Sequence, residues 1–178
     1  MEKYIALLRG INVSGQKKIK MADLRDLLAK NGMQQVQTYI QSGNILFEHP
    51  EKHPTELAAW ITDIIRNAYD FEVPTIVLKP NDLEKAIAGN PFSKDPAKDP
   101  TRFYVTFLEQ APDPELVKQL KALDYSPEEV VVDEAVVYFY SPESYGRAKM
   151  NNNFLEKKLK VPATTRNWRS VHILLEMS

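Results

Sequence analysis

Val36-Gln37-Thr38-Tyr39-Ile40-Gln41-Ser42-Gly43-Asn44-Ile45-Leu46-Phe47 is the stretch whose reading decides the fold. Val36, Thr38 and Ile40 alternate with polar residues, which places them on one face of a strand. Ile45-Leu46-Phe47 is a second apolar run. Ser42-Gly43-Asn44 lies between them, and Gly and Asn tolerate positive φ, so the two runs read as a β-hairpin. A helical pattern lies on each side of it. Upstream, residues 21–31 carry Leu24, Leu27 and Leu28 on one stripe, with Gly32 as a stop. Downstream, Pro54 suits a first helical position, and Leu57, Trp60, Ile61, Ile64, Ile65 and Ala68 recur at helical spacing. One step further out, Tyr4-Ile5-Ala6-Leu7-Leu8, closed by Arg9-Gly10, and Val73 to Leu78 read as strands. The order is β-α-β-β-α-β, that of a ferredoxin-like unit.

The pattern recurs. Phe103 to Leu108 reads as a strand. Asp113-Pro114 opens a helix through Leu116, Val117, Leu120 and Leu123. Val130–Val132 and Val136–Phe139 flank Asp133-Glu134 as a second hairpin. A weaker helix is expected over 147–159, a fourth strand over 163–166, and a terminal helix over 168–177. The expected architecture is therefore α+β, two ferredoxin-like (βαββαβ) units in tandem with a C-terminal helix. The first unit covers 1–79 and the second, with its terminal helix, 102–178. Residues 80–101 form a bridge: Asn81 with Glu84 suggests a capping box and a short helix over 82–88. Residues 93–100, with two prolines and four charges, read as a linker. Tyr4–Leu8 and Phe103–Leu108 are apolar on both parities, so both faces of these strands are expected to be covered.

Composition bounds the function. The chain has 178 residues, 43% hydrophobic and 26% charged, which is ordinary for a globular protein with a real core. It has no cysteine, which excludes disulfides, thiolate catalysis and sulfur-bound zinc. The opening MEKYIALLRG has too short an apolar run for a signal peptide, and no stretch approaches a membrane span. These features suggest a cytoplasmic protein without membrane partners, monomeric or weakly homodimeric. The net charge is −1, unevenly placed. Residues 1–20 carry five cations against Glu2, and residues 147–172 carry seven against Glu156. Such asymmetry marks either a face for an anionic partner or two solvated basic surfaces.

Three segments carry a resemblance. They are Ala6-Leu7-Leu8-Arg9-Gly10-Ile11-Asn12-Val13, Thr38-Tyr39-Ile40-Gln41-Ser42-Gly43-Asn44-Ile45 and Thr164-Thr165-Arg166-Asn167-Trp168. Their spacing over essentially the whole chain resembles the bacterial family catalogued as domain of unknown function 1697. The sequence departs from the family's frequent paired glycines at Ser14-Gly15. The resemblance implies paired ferredoxin-like units and brings no activity.

Candidate contacts for an anion follow from residue chemistry. Arg9 and Asn12 lie at the end of the first strand, and Lys17 and Lys18 precede the first helix, whose N-terminus favours anions. No GxxxxGK[ST] phosphate loop is present. Gln41, Ser42 and Asn44 sit in the hairpin turn, where polar side chains also satisfy local backbone. Arg147, Arg166 and Asn167 belong to the second basic region; Thr165 or Asn167 can cap the last helix, and Trp168 is expected to pack. The bland alternative is that these residues hold loops and helix ends in place. His49 and His53 are read in a polar loop and His172 in the last helix, without a triad or metal-binding spacing. An RNA-recognition sheet is disfavoured because Ile45-Leu46-Phe47 lacks the basic-glycine-aromatic run. No cofactor or metal is expected, and no catalytic residue is identified.

The leading functional expectation is a binding protein for a phosphate-bearing partner, nucleic acid or a nucleotide-like molecule, through a basic surface from the first loop and C-terminal region. The alternatives are an enzyme acting on a small anionic substrate in a cleft between the halves, with Arg9 and Arg166 holding it, and a protein-interaction scaffold.

Overall fold

The computed structural model describes all residues from Met1 to Ser178. It is an α+β protein with two four-stranded antiparallel sheets and six α-helices. The chain divides into two compact units. One comprises Met1–Leu83 with Leu174–Ser178, the other Glu84–Ile173.

In the first unit the elements run β1 (Glu2–Leu8), α1 (Met21–Lys30), β2 (Gln34–Tyr39), β3 (Asn44–His49), α2 (Pro54–Tyr69) and β4 (Thr75–Leu78). The strand order is β2-β3-β1-β4. Tyr4, Ala6, Leu8, Ile45, Phe47 and Val77 pack with Leu24 and Leu28 of α1 and with Leu57, Ile61, Ile64 and Ile65 of α2. The opposite parity of β1, Ile5 and Leu7, is also fully buried. The Tyr4 hydroxyl donates to Lys52 O at 2.9 Å and accepts from Lys52 N at 3.0 Å, so the buried phenol is satisfied. Pro54 opens α2 and Asp70, at φ 59, closes it.

The hairpin departs from the expected register at one residue. Ile40 does not continue β2: it lies in the turn at φ +51 and is 48% exposed. The cause is the tightness of the turn that follows. Gly43, at φ +87, passes so close to β1 that a Cβ there would lie 2.6 Å from Leu8 Cβ and 2.8 Å from Ile11 Cδ1. The histidines also sit differently. His49 ends β3, and His53 stands at the N-cap of α2, accepting from Thr55 N.

Helix α3 (Pro80–Gly89) begins two residues before the expected 82. Asn81 is not its cap. Asp82 reaches back to accept from Lys79 N at 2.8 Å, so an aspartate provides the return bond sought in Glu84. The apparent linker is locally tied. Asn90 and Asp99 cap two 3-10 turns, Pro91–Lys94 and Pro100–Arg102, by accepting from the N–H of Phe92 and Thr101 at 3.0 and 2.9 Å, and between them Asp95 accepts from Ala97 N at 2.9 Å.

The second unit contains β5 (Phe103–Leu108), α4 (Pro114–Lys121), β6 (Glu129–Asp133), β7 (Val136–Tyr140), α5 (Asn152–Leu159), β8 (Ala163–Asn167) and the start of α6 (Trp168–Met177). The strand order is β6-β7-β5-β8. Leu108, Val137, Phe139 and Ala163 pack with Leu120 of α4 and with Leu155 and Leu159 of α5. The helix expected from 147 starts only at Asn152. Tyr145–Arg147 is a 3-10 turn, Ala148 is extended, and Asn151 caps α5 by accepting from Phe154 N at 3.0 Å.

No helix is long and apolar enough to cross a membrane.

Candidate functional site

Pairing of β5 with β8 sets the site. Tyr104 lies opposite Asn167 and Thr106 opposite Thr165, so all four share the sheet face that the helices cover. Val105 lies opposite Arg166, and both belong to the other face. At the Tyr104–Asn167 end of the first face a cavity of about 570 Å³ opens, lined by Pro100, Thr101, Tyr104, Tyr145, Thr165, Asn167, Trp168 and Arg169. Three aromatic side chains wall it. The rings of Tyr104 and Tyr145 lie 5.1 Å apart, and Tyr104 stacks on Phe139 at 4.8 Å. Trp168 is braced edge-on by His172 at 4.6 Å and by Phe103 at 6.1 Å.

Beneath these rings runs a directed hydrogen-bond chain. The Thr165 hydroxyl donates to Asn152 Oδ1 at 2.9 Å, which leaves Thr106 as the donor in the 2.7 Å Thr106–Thr165 bond. Asn152 Nδ2 donates to Ala163 O at 2.9 Å, and Asn152 N donates to the Tyr145 hydroxyl at 3.2 Å. The Tyr145 oxygen therefore acts as an acceptor here, which leaves the hydroxyl its donor capacity. Arg169 adds an exposed guanidinium, and Asn167 Oδ1 holds the start of α6 through Ser170 N at 2.8 Å. The cavity thus offers flat aromatic walls, the phenols of Tyr104 and Tyr145, and one cation, Arg169. It holds no nucleophile–base pair. No group of three or more histidine, aspartate or glutamate side chains is placed to hold a metal ion.

The residues suggested by sequence are distributed differently. Asn167 lines this cavity; Arg147 is exposed in the 3-10 turn beside Tyr145. Arg166 is buried at 9% exposure, donates to Thr165 O at 3.0 Å, and its pKa is pushed down to about 10 by burial, so it remains a cation at neutral pH. In the first unit, Asn12 is fully occupied by backbone. Its Nδ2 donates to Ile19 O and Gln41 O, and its Oδ1 accepts from Ile19 N, each at 2.9 Å. It clamps the first loop on itself and on the hairpin turn. Lys17 donates to Glu72 O at 2.6 Å. Asn44 is buried and donates to Tyr39 O and Ser42 Oγ at 3.0 and 3.1 Å. Arg9 is half-buried. Asn12, Lys18 and Gln41 line a separate hollow of about 550 Å³ with Lys20, Asp23 and Tyr69.

Sequence reasoning missed Tyr104, Tyr145 and Arg169 as site residues. Thr165 and Trp168 stood in a quoted segment but were read as a cap and a packing residue. The available signal was parity: residues 165 and 167 share a face, and 166 does not. Nothing in the local sequence marks Tyr145.

An α+β protein of two four-stranded sheets with an aromatic-walled pocket is the class these features define. The chain belongs to the family described as "Protein of unknown function (DUF1697)", whose model matches residues 1–138. In fold it is similar to a conserved bacterial protein, SP0830, from Streptococcus pneumoniae, at 24% identity over 99% of this chain and 98% of that one, with a TM-score of 0.78. No curated protein matches the sequence.

Proposed function

We propose that the protein binds a small anionic molecule carrying a planar ring, of nucleotide-like chemistry, in the pocket walled by Tyr104, Tyr145 and Trp168. The observation that carries this reading is the combination of three aromatic walls, two of them phenols, with Arg169 in one cavity of about 570 Å³. That volume falls in the range of about 300–1,000 Å³ typical of small-molecule sites. Stacking of a base on aromatic side chains is worth about 1–3 kcal/mol per base, and an arginine fork suits a phosphate or carboxylate. Retention of a phosphate-bearing partner follows from the ligand's chemistry, and the basic residues 147–172 would raise its local concentration. Each sheet with its helices follows the strand order of a ferredoxin-like unit, and we read the chain as two such units in tandem.

Calorimetric titration with purine and pyrimidine nucleoside monophosphates, and with the parent nucleosides, tests the reading. At least one monophosphate binds, and Arg169→Ala weakens it by about tenfold or more while leaving the corresponding nucleoside unchanged. Tyr145→Phe weakens binding by about three- to tenfold through loss of one hydrogen bond. Absence of binding for the whole panel at low salt overturns the proposal.

A further inference from the structure

Strand β6 is the edge of its sheet, paired only with β7, in regular register from Glu129–Tyr140 to Asp133–Val136. In an antiparallel pair every second residue of an edge strand turns its N–H and C=O away from its neighbour. None of the backbone bonds made outside the sheets involves residues 129–133. Native proteins usually blunt such edges with bulges, lysines or proline. The other hairpin does so: β2 carries a register shift between Gln34 and Gln37, with Gln35 at φ +50, and is rich in glutamine. Within Glu129–Asp133, β6 carries no bulge, lysine or proline; its only guards are its short length and its two acidic ends. Its centre is Val130-Val131-Val132, all half-exposed.

Beside this edge lies a groove of about 320 Å³ whose lining includes Phe92, Leu123, Tyr125, Val130 and Val131. Leu123 is one of the few large apolar side chains that stand exposed, at 42%. The rim is acidic. Asp124, Glu128, Glu129, Asp133 and Glu134 cluster in or next to β6, against Lys98, which bonds Glu129, Lys121 in the groove lining and Lys149 near Asp124; Glu128 is held by the backbone N–H groups of Lys149 and Met150, and Asp133 and Glu134 have no such partner among the ion pairs. A second copy of the same strand is a poor occupant. Antiparallel self-pairing about Val131 would set Glu129 opposite Asp133 at both ends, and like charges directly opposite are destabilising.

We propose that β6 is a docking edge for an extended peptide segment of a partner protein, with an apolar centre and basic ends. The segment adds a fifth strand to the sheet. Its main chain satisfies the outward backbone groups, its apolar side chain enters the groove at Leu123, and its cations face Glu129 and Asp133. This site is separate from the ring-binding pocket, and neither proposal depends on the other.

The test is fluorescence-anisotropy titration of the full chain with two labelled synthetic peptides. Both have alternating valine and threonine in the centre; one is flanked by lysines, the other by glutamates. Hydrogen exchange at residues 129–133 is followed in parallel. The lysine-flanked peptide binds and protects these amides, and the glutamate-flanked peptide does not. In the double variant Glu129→Lys/Asp133→Lys, whose changes are on the surface and whose folding is checked by circular dichroism, the preference shifts towards the glutamate-flanked peptide by about tenfold or more. Equal binding of both peptides, absence of binding by both, or protection confined to other strands overturns the proposal. So does a concentration-dependent dimer of the parent chain whose formation protects residues 129–133, because a second copy would then be the occupant.

Discussion

At Gly43 the backbone runs at φ +87 against Leu8 and Ile11, in a space that no side chain can share. Gly43→Ala combines an unfavourable backbone conformation with a steric overlap against a packed strand, and should cost about 2–4 kcal/mol. Gly146 has nothing within 4 Å of a built Cβ, so Gly146→Ala should change stability by no more than about 0.5 kcal/mol. Urea denaturation of the two variants checks the contrast. Tyr138 is another residue whose surroundings are decided by folding. Burial, with Asp133 nearby, pushes its hydroxyl up from 10.0 to about 12. The folded state therefore holds that proton more tightly than the unfolded state. The resulting stability is complete below pH 10 and is lost as pH rises through about 12. Tyr138→Phe should flatten the fall of stability over that window, seen by denaturant titration at a series of alkaline pH values. Residue chemistry was legible in part. Gly43 announced a turn, but its approach to Leu8 depends on a strand more than thirty residues away in sequence. Asn12 was read as a candidate ligand contact because its type suits one; only the fold shows both of its amide atoms spent on backbone.

At the scale of elements, periodicity located strands and helices well because most bury one stripe or both faces. The four buried positions of α2 recur at helical spacing, and Ile61 among them is fully buried. Ile61→Ala should cost about 2–5 kcal/mol, read from the shift in urea midpoint. The beginnings of helices were less legible, since they depend on which side chain wins a backbone N–H. Asp82 does so where Asn81 was expected, and Asn151 postpones α5 to Asn152. That last boundary matters for the pocket. Asn152, the first residue of α5, holds the Tyr145 hydroxyl and receives the Thr165 hydrogen bond. Thr165→Val should cost about 1–3 kcal/mol by leaving the Thr106 hydroxyl and Asn152 carbonyl without their partner. It should also lower ligand affinity, checked by pairing thermal denaturation with the calorimetric titration. Such a chain across β5, β8 and α5 has no sequence signature, because its members are brought together by register rather than spacing.

For the whole molecule, α+β architecture and two hairpin-centred sheets were legible because the apolar pattern repeats through the chain. The candidate pocket was legible only through the Thr165-Arg166-Asn167-Trp168 segment, and there the sequence alone drew the eye to Arg166. Strand alternation turns Arg166 to the opposite face and gives the cavity Thr165 and Asn167 instead. The charged residue with chemical access is Arg169, one helical step later. The protein also carries its own internal control, because it has two tryptophans, Trp168 at the pocket and Trp60 on α2 in the other unit. The most direct measurement is a titration of the nitrogen-15-labelled chain with adenosine monophosphate, or with whichever monophosphate binds best, following the two indole N–H resonances. The account predicts a saturable shift of the Trp168 resonance with Trp60 unmoved, and a much weaker response in Arg169→Ala. A Trp168 resonance that stays still at millimolar ligand, or equal shifts at Trp60 and Trp168, would contradict it.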